Sequence, residues 1–190
     1  MAAVPGVGWS LQFLMHIFLN RNFDNDKDHI AKCFDYYRDY FNNVLFVLYP
    51  EGTVFWPDTK AKSDKFAEDK GRTKFNHVLL PRTTGFNFIL EQCKRTGIDT
   101  IYDITALYES RIPQDERAFF LGGMPSETHY IIKRVNVSDV TEEYLFDAWH
   151  SKDHELDLFY NEGKITQKKV SNPVSSQTWL LQNIGTLLNY

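Results

Sequence analysis

Residues 43–53 read Asn43-Val44-Leu45-Phe46-Val47-Leu48-Tyr49-Pro50-Glu51-Gly52-Thr53, and the fold turns on how this stretch is read. Val44 to Tyr49 is an unbroken apolar run rich in β-branched and aromatic types, which predicts a strand buried on both faces. Pro50 cannot donate to a sheet ladder, and Gly52 reaches backbone angles that other residues resist, so the chain is expected to leave the sheet here. Open α/β sheets place ligands in the loops beyond the carboxyl ends of buried strands. Glu51 is therefore expected as a carboxylate held at a sheet edge.

Working outward, Ile17-Phe18-Leu19 makes a short strand-like run that ends at Asn20-Arg21. Ile30, Cys33, Phe34, Tyr37, Tyr40 and Phe41 then recur at helical spacing, which predicts an amphipathic helix capped by Asp26 or Asp28. Residues 17–49 thus read strand, helix, strand, and a right-handed parallel crossover is the simplest way to join them. Downstream, Lys60 to Lys74 predicts a charged surface helix with a thin stripe of Ala61, Phe66 and Ala67. Val78 to Arg82 predicts a strand stopped by Pro81, and Thr83 to Arg95 a helix closed by Gly97. Thr100 to Tyr108 and Thr128 to Val137 predict further strands, and Tyr144, Leu145, Trp149, Leu156, Phe159 and Tyr160 line one side of a long charged helix ending at Gly163. The expected class is α/β, with a mostly parallel sheet, flanking helices and a long charged C-terminal helix. Residues 1–137 are expected as the α/β domain, 138–163 as the charged amphipathic helix and 164–190 as a polar then apolar tail.

A chain of 190 residues is the size of one domain, able to bury about 70% of its unfolded surface. Aromatic residues make up 15%, enough to fill a core or to spend some rings on an apolar groove or membrane interface. A net charge of -4 gives no reason to expect nucleic acid as a partner. Cys33 and Cys93 both lie in helix-like segments, which predicts reduced buried thiols and neither a disulfide framework nor a zinc site. No stretch has the length of apolar sequence that a transmembrane helix needs, and the Val7 to Leu19 segment suits a core helix or one that dips into an interface. Asn136-Val137-Ser138 fits a glycosylation sequon and is read as chance.

The ends of the expected strands offer Arg21, Glu51 with the Gly52 and Thr53 amides, and Arg82. Arginine binds phosphate through a planar fork and a carboxylate accepts from hydroxyl, so this set suits a ligand carrying both groups. The competing reading is that Glu51 caps its own turn or pairs with one of the arginines. The histidines offer no complete active site: His16 lies in an apolar segment, His29 opens an amphipathic helix, His77 precedes a strand, His129 begins one, and His150 and His154 lie on the charged helix, where His150 and Glu155 point well apart. The chain also lacks a Gly-x-Ser-x-Gly elbow and a glycine-rich phosphate loop, which removes the commonest hydrolase and NTPase chemistries.

Several ordered blocks resemble the glycerophospholipid acyltransferases of the 1-acylglycerol-3-phosphate acyltransferase type. Pro5-Gly6-Val7-Gly8-Trp9 with Ile17 to Arg21 is similar to that family's second block, Tyr49 to Thr53 to its third, and Val78 to Phe86 to its fourth. Asp103-Ile104-Thr105, Ile112-Pro113 and Trp149 to Tyr160 continue the likeness, which runs from about residue 4 to residue 160. The resemblance implies that Arg21 binds the acceptor phosphate and that Glu51, Gly52 and Thr53 cradle the phosphorylated glycerol. It also implies that Pro81, beside Arg82, shapes the acyl-donor side. Acyl-CoA is then the co-substrate, with no separate cofactor or metal, and the partners are a lysophospholipid acceptor and a membrane surface, expected in the endoplasmic reticulum. In one respect the chain departs from the pattern. The family's first block, His-x-x-x-x-Asp, supplies the base, and it occurs nowhere in this sequence. The expectation is a fragment or short isoform with recognition residues but no turnover of its own, and the alternative is a non-catalytic lipid- or CoA-binding module.

Overall fold

The computed structural model describes residues 17–19, 22–41, 43–109 and 125–165. Helix α1 spans Phe23–Tyr40, α2 Pro57–Asp69, α3 Thr83–Thr96 and α4 Tyr144–Glu162, with strands β1 Thr100–Tyr108 and β2 Thr128–Asn136 before α4. The α1 cap is Asn22 and not the expected Asp26 or Asp28: its side chain accepts from the Asp24 amide at 3.2 Å. Asp26 acts one step later, its carboxylate accepting from the Asn22 amide at 3.3 Å, so the two residues close the first turn reciprocally. Pro57 opens α2, where its missing N–H costs nothing, and only Ala67 of the expected stripe is buried. Gly97 and Gly163 end α3 and α4 in the left-handed region, at φ +81 and +65.

Two apolar clusters hold these elements. In the larger, Leu107 of β1 and Ile131 of β2 meet Leu145, Trp149 and Leu156 of α4, with Ala67, Phe75, Val78 and Leu80 beside them. In the smaller, Ile30 and Phe34 of α1 pack with Cys93 of α3 and Val137, and Ile17 and Phe46 rest against it. Cys93 is buried, Cys33 is only half-buried, and both thiols are free.

The sheet corrects the expected topology. It has two strands, β1 and β2, and they run antiparallel, from Thr100 opposite Asn136 to Tyr108 opposite Thr128. Residues 17–19 and 44–49 are not strands, so the expected parallel crossover between them is not formed among the described residues. Leu45, Val47 and Tyr49 are 79%, 70% and 80% exposed. Phe46 instead stacks on Phe34, ring centres 4.1 Å apart, so this run is pinned from one side and not buried from two. An apolar run states a preference for burial without saying which neighbours will supply it.

Val78, Leu79 and Leu80 are buried, but they form an irregular segment and not the expected strand. The reason lies in where the amides go. Those of Asn76 and His77 donate to the Asp153 carboxylate at 2.8 and 2.6 Å, and that of Leu80 donates to the Ser63 hydroxyl at 2.8 Å. Side chains take the donors that a ladder would otherwise use.

The contrast between the two apolar stretches is testable by urea denaturation. Leu107→Ala, at a fully buried site, is expected to cost about 2 to 5 kcal/mol. Leu45→Ala is expected to change stability by no more than about 0.5 kcal/mol.

Candidate functional site

The Pro50–Thr53 turn is built by three backbone features. The Gly52 amide donates to the Tyr49 carbonyl at 3.0 Å, the Arg82 amide donates to the Pro50 carbonyl at 2.9 Å, and Gly52 sits at φ +68. A side chain at Gly52 would be strained by that angle, and its Cβ would lie 3.4 Å from Arg82 Cδ and Nε. The Arg82 stem therefore lies along the glycine. Gly52, Thr53 and Arg82 are exposed, and Pro81 is buried behind them. Three of the expected site residues, Glu51, Gly52 and Thr53, thus share one turn, and Arg82, at the head of α3, lies against it. Arg21 lies outside the described residues.

The Glu51 carboxylate is half-buried. It accepts the indole N–H of Trp149 on α4 at 3.1 Å, and the Leu79 amide donates to it as well. It neither caps its own turn nor pairs with Arg82, and both donors come from distant parts of the chain. Burial raises its pKa above the ordinary carboxylate value, while the Trp149 bond, the Leu79 amide and the nearby Lys152 charge act in the opposite direction.

Beneath that turn, α4 lays a row of charges against the inner face of the sheet. Lys152, buried, forms an ion pair with Asp103 and donates to the Ile104 carbonyl at 2.9 Å and the Thr105 hydroxyl at 3.0 Å. Its ammonium also lies 5.4 Å from the centre of the Trp149 ring. Asp103 faces Lys133 across the strands, and Lys133 donates to Glu155 of α4 at 2.9 Å and to Ser151 at 2.7 Å. The opposed signs on sheet and helix admit one register of α4 over the hairpin. Close to Asp103, the phenol of Tyr144 is pushed up to about 12, first by burial and then by the carboxylate charge.

His77, His129 and His150 take structural partners. His77 meets Asp157 at 3.2 Å and His150 lies edge-on to Phe75 at 4.9 Å, so His150 and Glu155 form no dyad, as their spacing predicts. Glu109, Glu127 and His129 are the group among the described residues whose ligand atoms, within 4.8 Å of one another, could hold a metal. There the imidazole already meets Glu109 at 3.0 Å and Glu127 at 3.7 Å, an arrangement complete without an ion.

Trp149, Lys152 and Asp103 were not among the residues expected to form the site. Their signal in the sequence is slight: a lysine and a tryptophan three apart on the stripe that also carries Leu145 and Leu156. A lysine there reads as a solvated edge residue until its burial is seen.

A family described as the acyltransferase C-terminus matches residues 119–185, a span that contains β2 and α4. Lysocardiolipin acyltransferase 1 of Gallus gallus is 35% identical over 192 residues, covering 95% of this chain and 50% of that protein. Lysophosphatidylinositol acyltransferase 10 of Caenorhabditis elegans is 34% identical, over 84% of this chain and 43% of its own. The delta 1-acyl-sn-glycerol-3-phosphate acyltransferase of Mus musculus is 32% identical, over 85% and 43%. The chain thus spans about half the length of the curated relatives it matches. No solved structure matches it.

The raised Glu51 value fixes how stability should vary with pH. The folded chain holds that proton more tightly than the unfolded chain, so the contribution is fully present below the unfolded value and is lost as pH rises through the folded one. Glu51→Gln, which keeps the shape but cannot ionise, is expected to gain Tm relative to the native chain as pH rises across that window. Paired thermal melts that stay parallel through the window would show that Glu51 does not carry the shift.

Proposed function

Because the chain belongs to the acyltransferase family, we propose that it serves acyl transfer to a lysophospholipid, with the Pro50–Thr53 turn and Arg82 holding the acceptor headgroup. One observation carries this reading: the exposed Arg82 lies along the exposed Gly52, while the adjacent carboxylate is fixed in direction by bonds from α4 and Leu79. A guanidinium and backbone amides suit phosphate, and a fixed carboxylate suits a glycerol hydroxyl. The names of the relatives support the same class of acceptor, a phosphate-bearing glycerolipid with one acyl position free.

In the transfer itself the acceptor oxygen forms a C–O bond to the acyl carbon as the C–S bond of acyl-CoA breaks. The hydroxyl proton leaves to a base and ends on the CoA sulfur. The parts assigned to this chain are those of binding. Arg21 and Arg82 meet the phosphate, Thr53 offers its amide beside the bare Cα of Gly52, Glu51 orients the hydroxyl, and Pro81 shapes the side from which acyl-CoA enters. Proton transfer is not assigned to it, since His-x-x-x-x-Asp is absent from its sequence and His77 and His129 are already bonded to acidic side chains. An acceptor that lives in bilayers places the work at a membrane surface, and we assign that surface to the endoplasmic reticulum. No helix among the described residues is long and apolar enough to cross a membrane.

The test is binding of lysophosphatidic acid in neutral detergent micelles, set beside monoacylglycerol, which lacks the phosphate. Preference for the phosphorylated lipid is expected. Arg82→Ala should weaken it by about 10-fold or more, the worth of one charge-assisted hydrogen bond. Acyl transfer from acyl-CoA should stay at background. Equal binding of the two lipids would overturn the reading of the turn, and transfer well above background would overturn its restriction to binding.

A further inference from the structure

We propose that Trp149 is a positioning residue for the acceptor site: its indole N–H, 3.1 Å from Glu51 Oε1, sets the direction of that carboxylate, which makes α4 a working part of that site. The inference rests on the reading that Glu51 faces the acceptor hydroxyl.

The donors that orient this carboxylate are not its neighbours in sequence. Pro50 has no N–H to offer, and the Gly52 amide is taken by the Tyr49 carbonyl. Donors have to arrive from elsewhere, and they are the Leu79 amide and the Trp149 indole. An indole has a single N–H, lying in the ring plane, so the direction of the ring is the direction of the bond. That ring is 7% exposed and packed in the larger apolar cluster, so it cannot turn away. Lys152, one turn along α4, is the nearby positive charge, but its ammonium is held by Asp103, Ile104 and Thr105. It acts on Glu51 only through space. Trp149 is thus the side chain that bonds Glu51 among the described residues, and it offsets part of the burial that drives the carboxyl toward its neutral form. An ionised carboxylate accepts a hydroxyl more strongly than a neutral acid, and it needs that offset to stay ionised as pH falls.

The inference separates a positioning role from a packing role because the two move different quantities. The midpoint of Glu51 is read by carbon NMR of the full chain carrying labelled glutamate, with the signal assigned by its loss in Glu51→Gln. Trp149→Phe is expected to move that midpoint upward and to weaken lysophosphatidic acid binding by about 10-fold, with the loss growing as pH falls. In the Glu51→Gln background the same substitution should add nothing to the loss of binding. Should Trp149→Phe fail to fold, benzothienylalanine placed at position 149 keeps the shape of the indole and removes only its N–H. An unchanged Glu51 midpoint in a folded variant overturns the proposal and leaves Trp149 as core packing. Failure of the native chain to bind the lipid would instead overturn the acceptor reading, and the NMR midpoint would still decide whether Trp149 governs the carboxylate.

Discussion

The buried pair of Lys152 and Asp103 is the contact on which the rest depends. Bringing two charges out of water costs several kcal/mol for each ion, and only close geometry with the remaining donors satisfied offsets that cost. Here the requirement is met on the lysine side: the ammonium meets the carboxylate, a carbonyl and a hydroxyl, all from β1. Meeting it fixes α4 against the hairpin to within one helix position. Trp149 then arrives beside Glu51, and Asp153 arrives beneath the amides of Asn76 and His77. The Glu51 turn, the buried segment before Pro81 and the strand pair are all tied to one helical face. An apolar face in place of these charges could pack as tightly, but it would slide more readily.

The charges also explain why the hairpin has a defined inner side. Its outer side carries Tyr102, Ile104, Tyr130 and Ile132, each more than half exposed, so hydrophobicity alone does not distinguish the two faces. Asp103 and Lys133, opposite each other on the inner side, do distinguish them, because only α4 supplies the matching Lys152 and Glu155. Specificity here comes from charge and bulk burial from Leu107, Ile131 and Leu156.

Much of the helical structure was legible in the sequence, since apolar spacing and the glycines at 97 and 163 are local signals read by local physics. The same held for β1 and β2 as strands. Their partnership was not legible, because an alternating strand does not name its neighbour, and the parallel sheet inferred around Val44 to Tyr49 gave way to an antiparallel pair elsewhere. Val78 to Leu80 was read as a strand and is not one, because the Glu51 carboxylate and the Ser63 hydroxyl take the amides of Leu79 and Leu80, and Asp153 takes those of Asn76 and His77 just before. The Pro50–Thr53 turn and Arg82 were singled out from residue type and resemblance, whereas Trp149 was read as an apolar position on a stripe and the start of a block of the likeness, with no bond to Glu51 foreseen. Long-range hydrogen bonds turn such residues into parts of a site, and no local pattern records them.

The central claim is that the charge pair through Lys152 locks α4 over the hairpin, and a double-mutant cycle tests it most directly. Asp103→Leu, Lys152→Met and the double variant are unfolded in urea beside the native chain. Each single substitution leaves an uncompensated buried charge and is expected to cost about 3 to 5 kcal/mol, while the double variant recovers much of that loss. A coupling of about 2 kcal/mol or more is the predicted result, and single costs that simply add within about 0.5 kcal/mol would contradict it.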